Sequence, residues 1–232
     1  VSEQKREESK RQDAIRREID QIYHLFEILQ QASGLPPRML EQTFENYRAD
    51  NSEQRQIVVR CREYVKNFEE TRARGTWLCF AGSCGTGKGH LAAAIAHEVI
   101  YRHLLPVVYV KLIELVSQIK ETWKPHAKES EEEILEYYRK CSGLLILDEI
   151  GVQFGSETER MYLYRLLDYR YEYKLPTILT TNLTGAQLKA TAGIRVYDRI
   201  IESPNEILVF NWPSYRKTGG RLDEPRPEHS KP

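Results

Sequence analysis

Gly82-Ser83-Cys84-Gly85-Thr86-Gly87-Lys88-Gly89-His90, directly after the apolar run Trp77-Leu78-Cys79-Phe80-Ala81, has the residue types that hold polyphosphate. Four glycines between a strand and a helix let successive backbone N–H groups converge on an anion, and Lys88 adds a point charge for the β and γ phosphates. The Walker A spacing G-x-x-x-x-G-K-[S/T] is complete through Lys88 and then fails, because Gly89 stands where a hydroxyl normally ligates Mg²⁺. A second constellation answers the first. Leu144-Leu145-Ile146-Leu147 reads as a strand buried on both faces of a parallel sheet, and it ends in Asp148-Glu149. This is the Walker B pattern: Asp148 for the Mg²⁺ shell, directly or through water, and Glu149 to orient and polarise the attacking water, worth on the order of 10²–10⁴ in rate. Bound ATP or ADP with Mg²⁺, and ATP hydrolysis, are therefore the first expectations.

Other residues extend that chemistry, each with a plainer reading beside it. Asn182, at the end of the strand Thr177 to Thr181, is placed to contact the γ-phosphate or the water, or is an ordinary turn residue. Arg195 and Arg199 are spaced i,i+4, so a helix puts both guanidiniums on one face, from which they can project outward. An arginine presented to a neighbouring subunit's ATP contributes roughly 10³–10⁵ in rate; the plainer reading is a pair of surface salt-bridge arginines. Arg216, after the last strand, is in reach of phosphate in cis or is a surface residue of the same kind. Lys120, Trp123 and Lys124 combine charge with an aromatic, as in grooves that track single-stranded nucleic acid. Trp123 equally completes the apolar stripe Leu112, Leu115, Val116 and Ile119, which would bury it. Ser156 and Thr158 are candidate further DNA contacts, and Cys84 reads as a tolerated small residue in the loop.

The elements that must position these residues alternate along the chain. With 232 residues, one core domain plus an appendage is expected. Lys+Arg and Asp+Glu both number 34, so nucleic-acid binding has to come from a local patch. No apolar run approaches the roughly 18 residues of a membrane span, which argues against a membrane role. The four cysteines form no C-x-x-C pair and the six histidines no H-E-x-x-H, so no zinc site or disulfide framework is signalled, and a reducing cytoplasm fits.

Residues 1–35 read as an amphipathic helical extension whose Ile15, Ile19, Ile22, Phe26 and Leu29 step like a heptad seam, with Glu7/Arg11 and Asp13/Arg17 spaced to pair. That helix folds onto its own domain, docks another protein, or pairs with a second copy. Gly34, Pro36 and Pro37 end it. Asn51 and Gln54 have capping-box spacing for a helix burying Ile57, Val58, Cys61, Tyr64, Val65 and Phe68. Helices are expected over Leu91–Leu105, Leu112–Trp123, Glu131–Tyr138 with Ser130 as its cap, Ser156–Lys174 and Ile194–Ile201, and strands at Val107–Val110 and Glu206–Phe210 besides those named. The alternation predicts an α/β protein with a parallel sheet flanked by helices, its ATPase domain at 36–217, and a disordered tail at 218–232.

Five strings together resemble the AAA+ helicase loaders of the bacterial DnaC type, close to the IstB-type transposition helpers. They are Thr43-Phe44-Glu45-Asn46-Tyr47-Arg48, the run Gly85 to Ile95, Asp148 to Gln153, Arg195 to Arg199, and Phe210 to Arg216; the third and fifth favour the loaders. The resemblance implies a P-loop AAA+ core with a very short lid and an N-terminal helical extension, and a nucleotide site to which Phe44 and Tyr47 also belong. It implies Arg199 as a trans-acting arginine finger supported by Arg195, Arg216 as sensor 2 and Asn182 as sensor 1. It places Lys120 to Trp123 in an insertion that binds single-stranded DNA. A hexameric replicative helicase of the DnaB type is the implied partner, with self-association through the ATP sites. Val1 at the start and the short segment before Thr43 suggest a helicase-docking region that is incomplete here. Gly89 suggests ATP binding with slow intrinsic hydrolysis, stimulated by DNA or partner. A transposase helper acting on duplex DNA, and an adaptor that binds nucleotide with little turnover, stay open beside helicase loading.

Overall fold

The computed structural model describes residues 2–151 and 157–216, with side chains from residue 14 onward and those of residues 8, 11 and 12 before it. Ser156, the expected tail at 218–232, and the Glu7/Arg11 and Asp13/Arg17 pairings fall wholly or partly outside what is described. Five strands, β1 (Trp77–Gly82), β2 (Val107–Lys111), β3 (Leu144–Ile150), β4 (Thr177–Thr181) and β5 (Glu206–Phe210), form one sheet in the order β2-β3-β4-β1-β5. Every pairing is parallel. The expected α/β class is what the chain adopts.

Alternation along the strands divides the core in two. Leu78, Phe80, Val107, Tyr109, Leu144, Ile146 and Ile178 face one layer of helices, while Trp77, Cys79, Val108, Val110, Leu145, Leu147 and Leu179 face the other. The first layer holds α3 (Ser52–Lys66) and α5 (Lys88–His103), and the second holds α6 (Leu112–Glu121), α7 (Glu131–Arg139), α8 (Glu157–Glu172) and α10 (Ile194–Ile201). The predicted capping box of Asn51 with Gln54 forms, and Ser130, expected as a cap, completes a box with Glu133. Three short helices were not expected: α2 (Pro37–Leu40), α4 (Phe68–Arg74) and α9 (Gly185–Ala192), the last with its own box from Thr184 and Gln187. A break at Asn67 assigns Phe68 to α4, although it is buried as predicted.

The first helix, α1 (Ser2–Ala32), divides along its length. Phe26 and Leu29 pack on the core, Phe26 meeting His97 and Tyr101 of α5 edge-on at 6.1 and 5.9 Å. Ile15, Ile19 and Ile22 stay about half exposed, so the seam folds onto its own domain only at its C-terminal end. Helix α6 ends at Glu121, two residues before Trp123, and the indole is 57% exposed; the reading that buries it with the stripe is corrected.

One buried cation fastens the lower end of the sheet. Arg170 of α8 is fully buried, with Nε on Thr177 Oγ1 at 2.8 Å and Nη2 on the Pro176 carbonyl at 2.8 Å. Nη1 donates to the carbonyls of Tyr138, Arg139 and Cys141 at 3.0–3.2 Å. Two of these are orphan carbonyls at the end of α7, where a cation also meets the negative end of the helix dipole. Burial lowers its pKa to about 10, which still leaves it charged at neutral pH. Arg170→Met strands these acceptors in the core, so unfolding free energy should fall by about 3–5 kcal/mol. A urea titration would show this as a lower midpoint with an unchanged slope.

Candidate nucleotide-binding site

The sheet order sets the site. β1 lies between β4 and β5 while its successor β2 is at the far edge, so the ends of β3, β4 and β1 share one crevice where ligands bind in open α/β sheets. The loop after β1 enters α5 there. Gly85 and Gly87 have φ of 78° and 94°; a Cβ would lie 2.1 Å from Ser214 Oγ at the first and 2.8 Å from the Tyr47 ring at the second. Only glycine satisfies both the conformation and the clearance.

Lys88 is buried to 8% exposure, and its ammonium donates to the carbonyls of Gly82 at 2.6 Å and Ser83 at 2.8 Å and to Asn182 Oδ1 at 2.9 Å. Burial lowers its pKa, against the opposing pull of Cys84, Asp148 and Glu149. Thr86 is fully buried and donates to the Ser83 carbonyl at 2.8 Å. Two segments strap the loop from outside. Trp212 Nε1 donates to the Thr86 carbonyl at 2.9 Å and the Tyr215 amide to that of Gly85 at 3.0 Å, which lays exposed Arg216 along the loop. On the other side His90 Nε2 donates to the Thr43 carbonyl at 2.8 Å, and its ring meets Tyr47 edge-on at 5.1 Å. Burial lowers the His90 pKa, although the Thr43 contact opposes it.

The two carboxylates are held differently. Asp148 Oδ2 accepts from the Tyr109 hydroxyl at 2.6 Å, and Oδ1 accepts from Thr180 Oγ1. Glu149 sits in the left-handed region with φ 58°, costly for a non-glycine residue, and its amide donates to Thr180 Oγ1 at 3.0 Å. Its side chain pairs with Lys111 Nζ at 3.2 Å, and that contact, more than any other, raises the Lys111 pKa. The donor set suits Mg²⁺, which takes one or two carboxylates and completes its shell with phosphate and water. Asp148 supplies such a carboxylate, while no cluster of three or more potential metal-ligating side chains occurs among the described residues. A Cβ on Gly89 would meet nothing within 4 Å, so the missing hydroxyl leaves open space at the start of α5.

Other expected site residues lie elsewhere. Phe44 is buried in the core with the Arg62 guanidinium 4.7 Å above its ring. Arg199 does not project outward. It is ion-paired with Asp168 of α8 and packed over Tyr164 and Tyr171 at 5.4 and 5.1 Å, while Arg195, one turn earlier, is exposed. Lys120, Trp123 and Lys124 are all exposed near the end of α6, and Lys124 pairs with Glu121. Trp123 supports the Glu131 carboxylate, whose pKa is lowered chiefly by Tyr162. Thr158 is half-buried in the first turn of α8. Tyr109, Lys111 and Thr180 were missed. Period-2 alternation puts Tyr109 and Lys111 on one face of β2, but their neighbour became known only with the sheet order.

Comparison with known proteins identifies the family. The profile of the family described as "IstB-like ATP binding protein" matches residues 17–219. The replicative helicase loader DnaC of Escherichia coli K12 is 35% identical over 184 residues, covering 79% of this chain and 73% of that one. DnaC of Buchnera aphidicola subsp. Baizongia pistaciae is also 35% identical, over 80% of this chain and 73% of its own. The crystal structure of the DnaC helicase loader superposes with a TM-score of 0.67 at 26% identity, over 75% of this chain and 99% of that one. AMPPCP-bound DnaA from Aquifex aeolicus shares the fold, with a TM-score of 0.61 at 22% identity over 75% of this chain and 51% of its own. A phosphate loop facing two strand-end carboxylates, within a chain matched over most of its length, makes this protein a member of the IstB-like ATP-binding family, among the replicative helicase loaders of the DnaC type.

Proposed function

We infer that the protein loads a hexameric replicative helicase of the DnaB type onto single-stranded DNA and that ATP, bound with Mg²⁺ and hydrolysed slowly, gates the step. The observation that carries the nucleotide part is the convergence of Lys88, Asn182, Asp148 and Glu149 on one crevice. ATP supplies a phosphoanhydride whose hydrolysis can reset an assembly. The chain's own residues bind and orient it. Lys88 exchanges loop carbonyls for phosphate oxygens, Asn182 moves with it, the amides of the loop and the N-terminus of α5 line the phosphates, and Arg216 meets them in cis. Glu149 polarises the water once its contact with Lys111 loosens.

Partner contacts follow from what is left exposed. The half-exposed Ile15, Ile19 and Ile22 of α1 suit a helical docking face for the helicase, and Lys120, Trp123 and Lys124, with Thr158 beyond them, suit single-stranded DNA. Subunits associate through the ATP sites, with Arg195 or a released Arg199 reaching the neighbouring nucleotide. No described helix is long and apolar enough to cross a membrane, and the proposed setting is the cytoplasm.

Loading is tested by mixing the protein with the replicative helicase of the same cell, ATP and closed circular single-stranded DNA. ATP-dependent transfer of the hexamer to the circle is expected; salt-matched preference for duplex oligonucleotides, with no transfer, would sink the reading. In single-turnover assays, Glu149→Gln should keep nucleotide affinity and slow hydrolysis by at least roughly 10²-fold. Lys111→Ala, which frees Glu149, should speed it. Gly89→Ser fits the open space at the head of α5 and restores a hydroxyl, so hydrolysis at limiting Mg²⁺ should rise, with a gain in stability of a few tenths of a kcal/mol from replacing a helical glycine.

A further inference from the structure

The edge strand β2 reaches the Mg²⁺-side carboxylate through a residue that the Walker patterns do not include. The ring of Tyr109 is buried in the core at 6% exposure, and its hydroxyl lies 2.6 Å from Asp148 Oδ2. Its backbone is fixed as well. The Tyr109 amide donates to the Ser33 carbonyl at 2.7 Å, where α1 turns toward α2. Ser33 is fully buried, and its hydroxyl donates to the Gln30 carbonyl at 2.7 Å and accepts from the Leu35 amide at 3.2 Å. The α1–α2 junction thus anchors one end of Tyr109 and Asp148 the other. Thr180 holds the remaining carboxylate oxygen, so both oxygens of Asp148 carry a fixed hydroxyl donor.

With Gly89 in place of a hydroxyl residue, the loop itself offers Mg²⁺ no side-chain ligand at that position, and the orientation of Asp148 weighs more heavily. Donors that orient a metal ligand are typically worth 10–100-fold in metal affinity. We propose that Tyr109 is a positioning residue for the Mg²⁺–nucleotide complex, its hydroxyl fixing the rotamer and leaving the free lone pairs of Asp148 aimed into the crevice. The proposal rests on the nucleotide-binding reading above and adds a residue and an atom to it. Burial, followed by the Asp148 charge, pushes the phenol pKa up, so Tyr109 stays a donor at neutral pH and is no candidate base.

The test titrates a fluorescent ADP analogue into the full chain with Mg²⁺ and, separately, with EDTA. Tyr109→Phe keeps the ring and the backbone bond to Ser33 and removes only the donor. It should leave the EDTA affinity within about twofold and shrink the Mg²⁺-dependent gain by about 10–100-fold. On an Asp148→Asn background, where the gain is already lost, the same change should add nothing. An undiminished Mg²⁺ gain in Tyr109→Phe overturns the proposal, as does an equal loss of affinity in EDTA, which would mean that the residue only supports the fold. If the unmodified protein binds no nucleotide in either condition, the nucleotide-binding reading itself fails, a result distinct from the other two.

Discussion

A buried ammonium cannot be left without acceptors, and the upper end of this molecule is built around that constraint at Lys88. Taking the charge out of water costs several kcal/mol unless polar atoms replace the lost hydration. Two loop carbonyls and the Asn182 amide oxygen do so, which ties the loop after β1 to the end of β4 through one side chain. The sheet order then has a chemical consequence. Because β4 lies between β1 and β3, the residue sharing Lys88 with the loop is also next to the strand that ends in Asp148 and Glu149. Carbonyl acceptors are exchangeable: a phosphate oxygen with a full charge outcompetes a neutral carbonyl for the same ammonium.

The opposite end of the sheet solves the same problem permanently. Arg170 is also a buried cation bound mainly to carbonyls, but its planar fork is filled by five acceptors from the end of α7, the turn before β3 and the start of β4. It is fully buried, so it acts as a rivet. Lysine's single ammonium on a flexible stem suits an exchangeable site, and arginine's rigid fork suits a closed one.

What could be read in the sequence was what local chemistry determines. The glycine–lysine spacing, the apolar strand ending in two carboxylates and the Asn51 and Ser130 caps depend on neighbours within a few residues, and each appears where expected. What was misread depends on distant neighbours. The i,i+4 spacing of Arg195 and Arg199 gives a shared face but not what that face meets; Asp168 arrives from another helix and takes Arg199 inward. Trp123 fits the periodicity of α6, yet the helix stops before reaching it. That the Phe44 ring turns into the core beneath Arg62 was likewise not legible from its motif. Tyr109, Lys111 and Thr180 carry no local signature, because their roles exist only once β2 and β4 flank β3.

The contrast between the two carboxylates bears most directly on how the site works. Asp148 is held by two hydroxyls in a protected position, an arrangement in which each bond is hard to replace with water. Glu149 is held by one lysine across a pair whose side chains are 33% and 43% exposed, and such pairs contribute only about 0–1 kcal/mol. Its left-handed backbone adds strain of order 1–3 kcal/mol that the fold must sustain. The Asp148 carboxylate is thus fixed in advance, while that of Glu149 can be redirected at little cost. On the function proposed above, Gly89 withholds a metal ligand as well, so that nucleotide would be bound firmly while hydrolysis waits for Glu149 to be turned, the division of labour suited to a protein that switches an assembly.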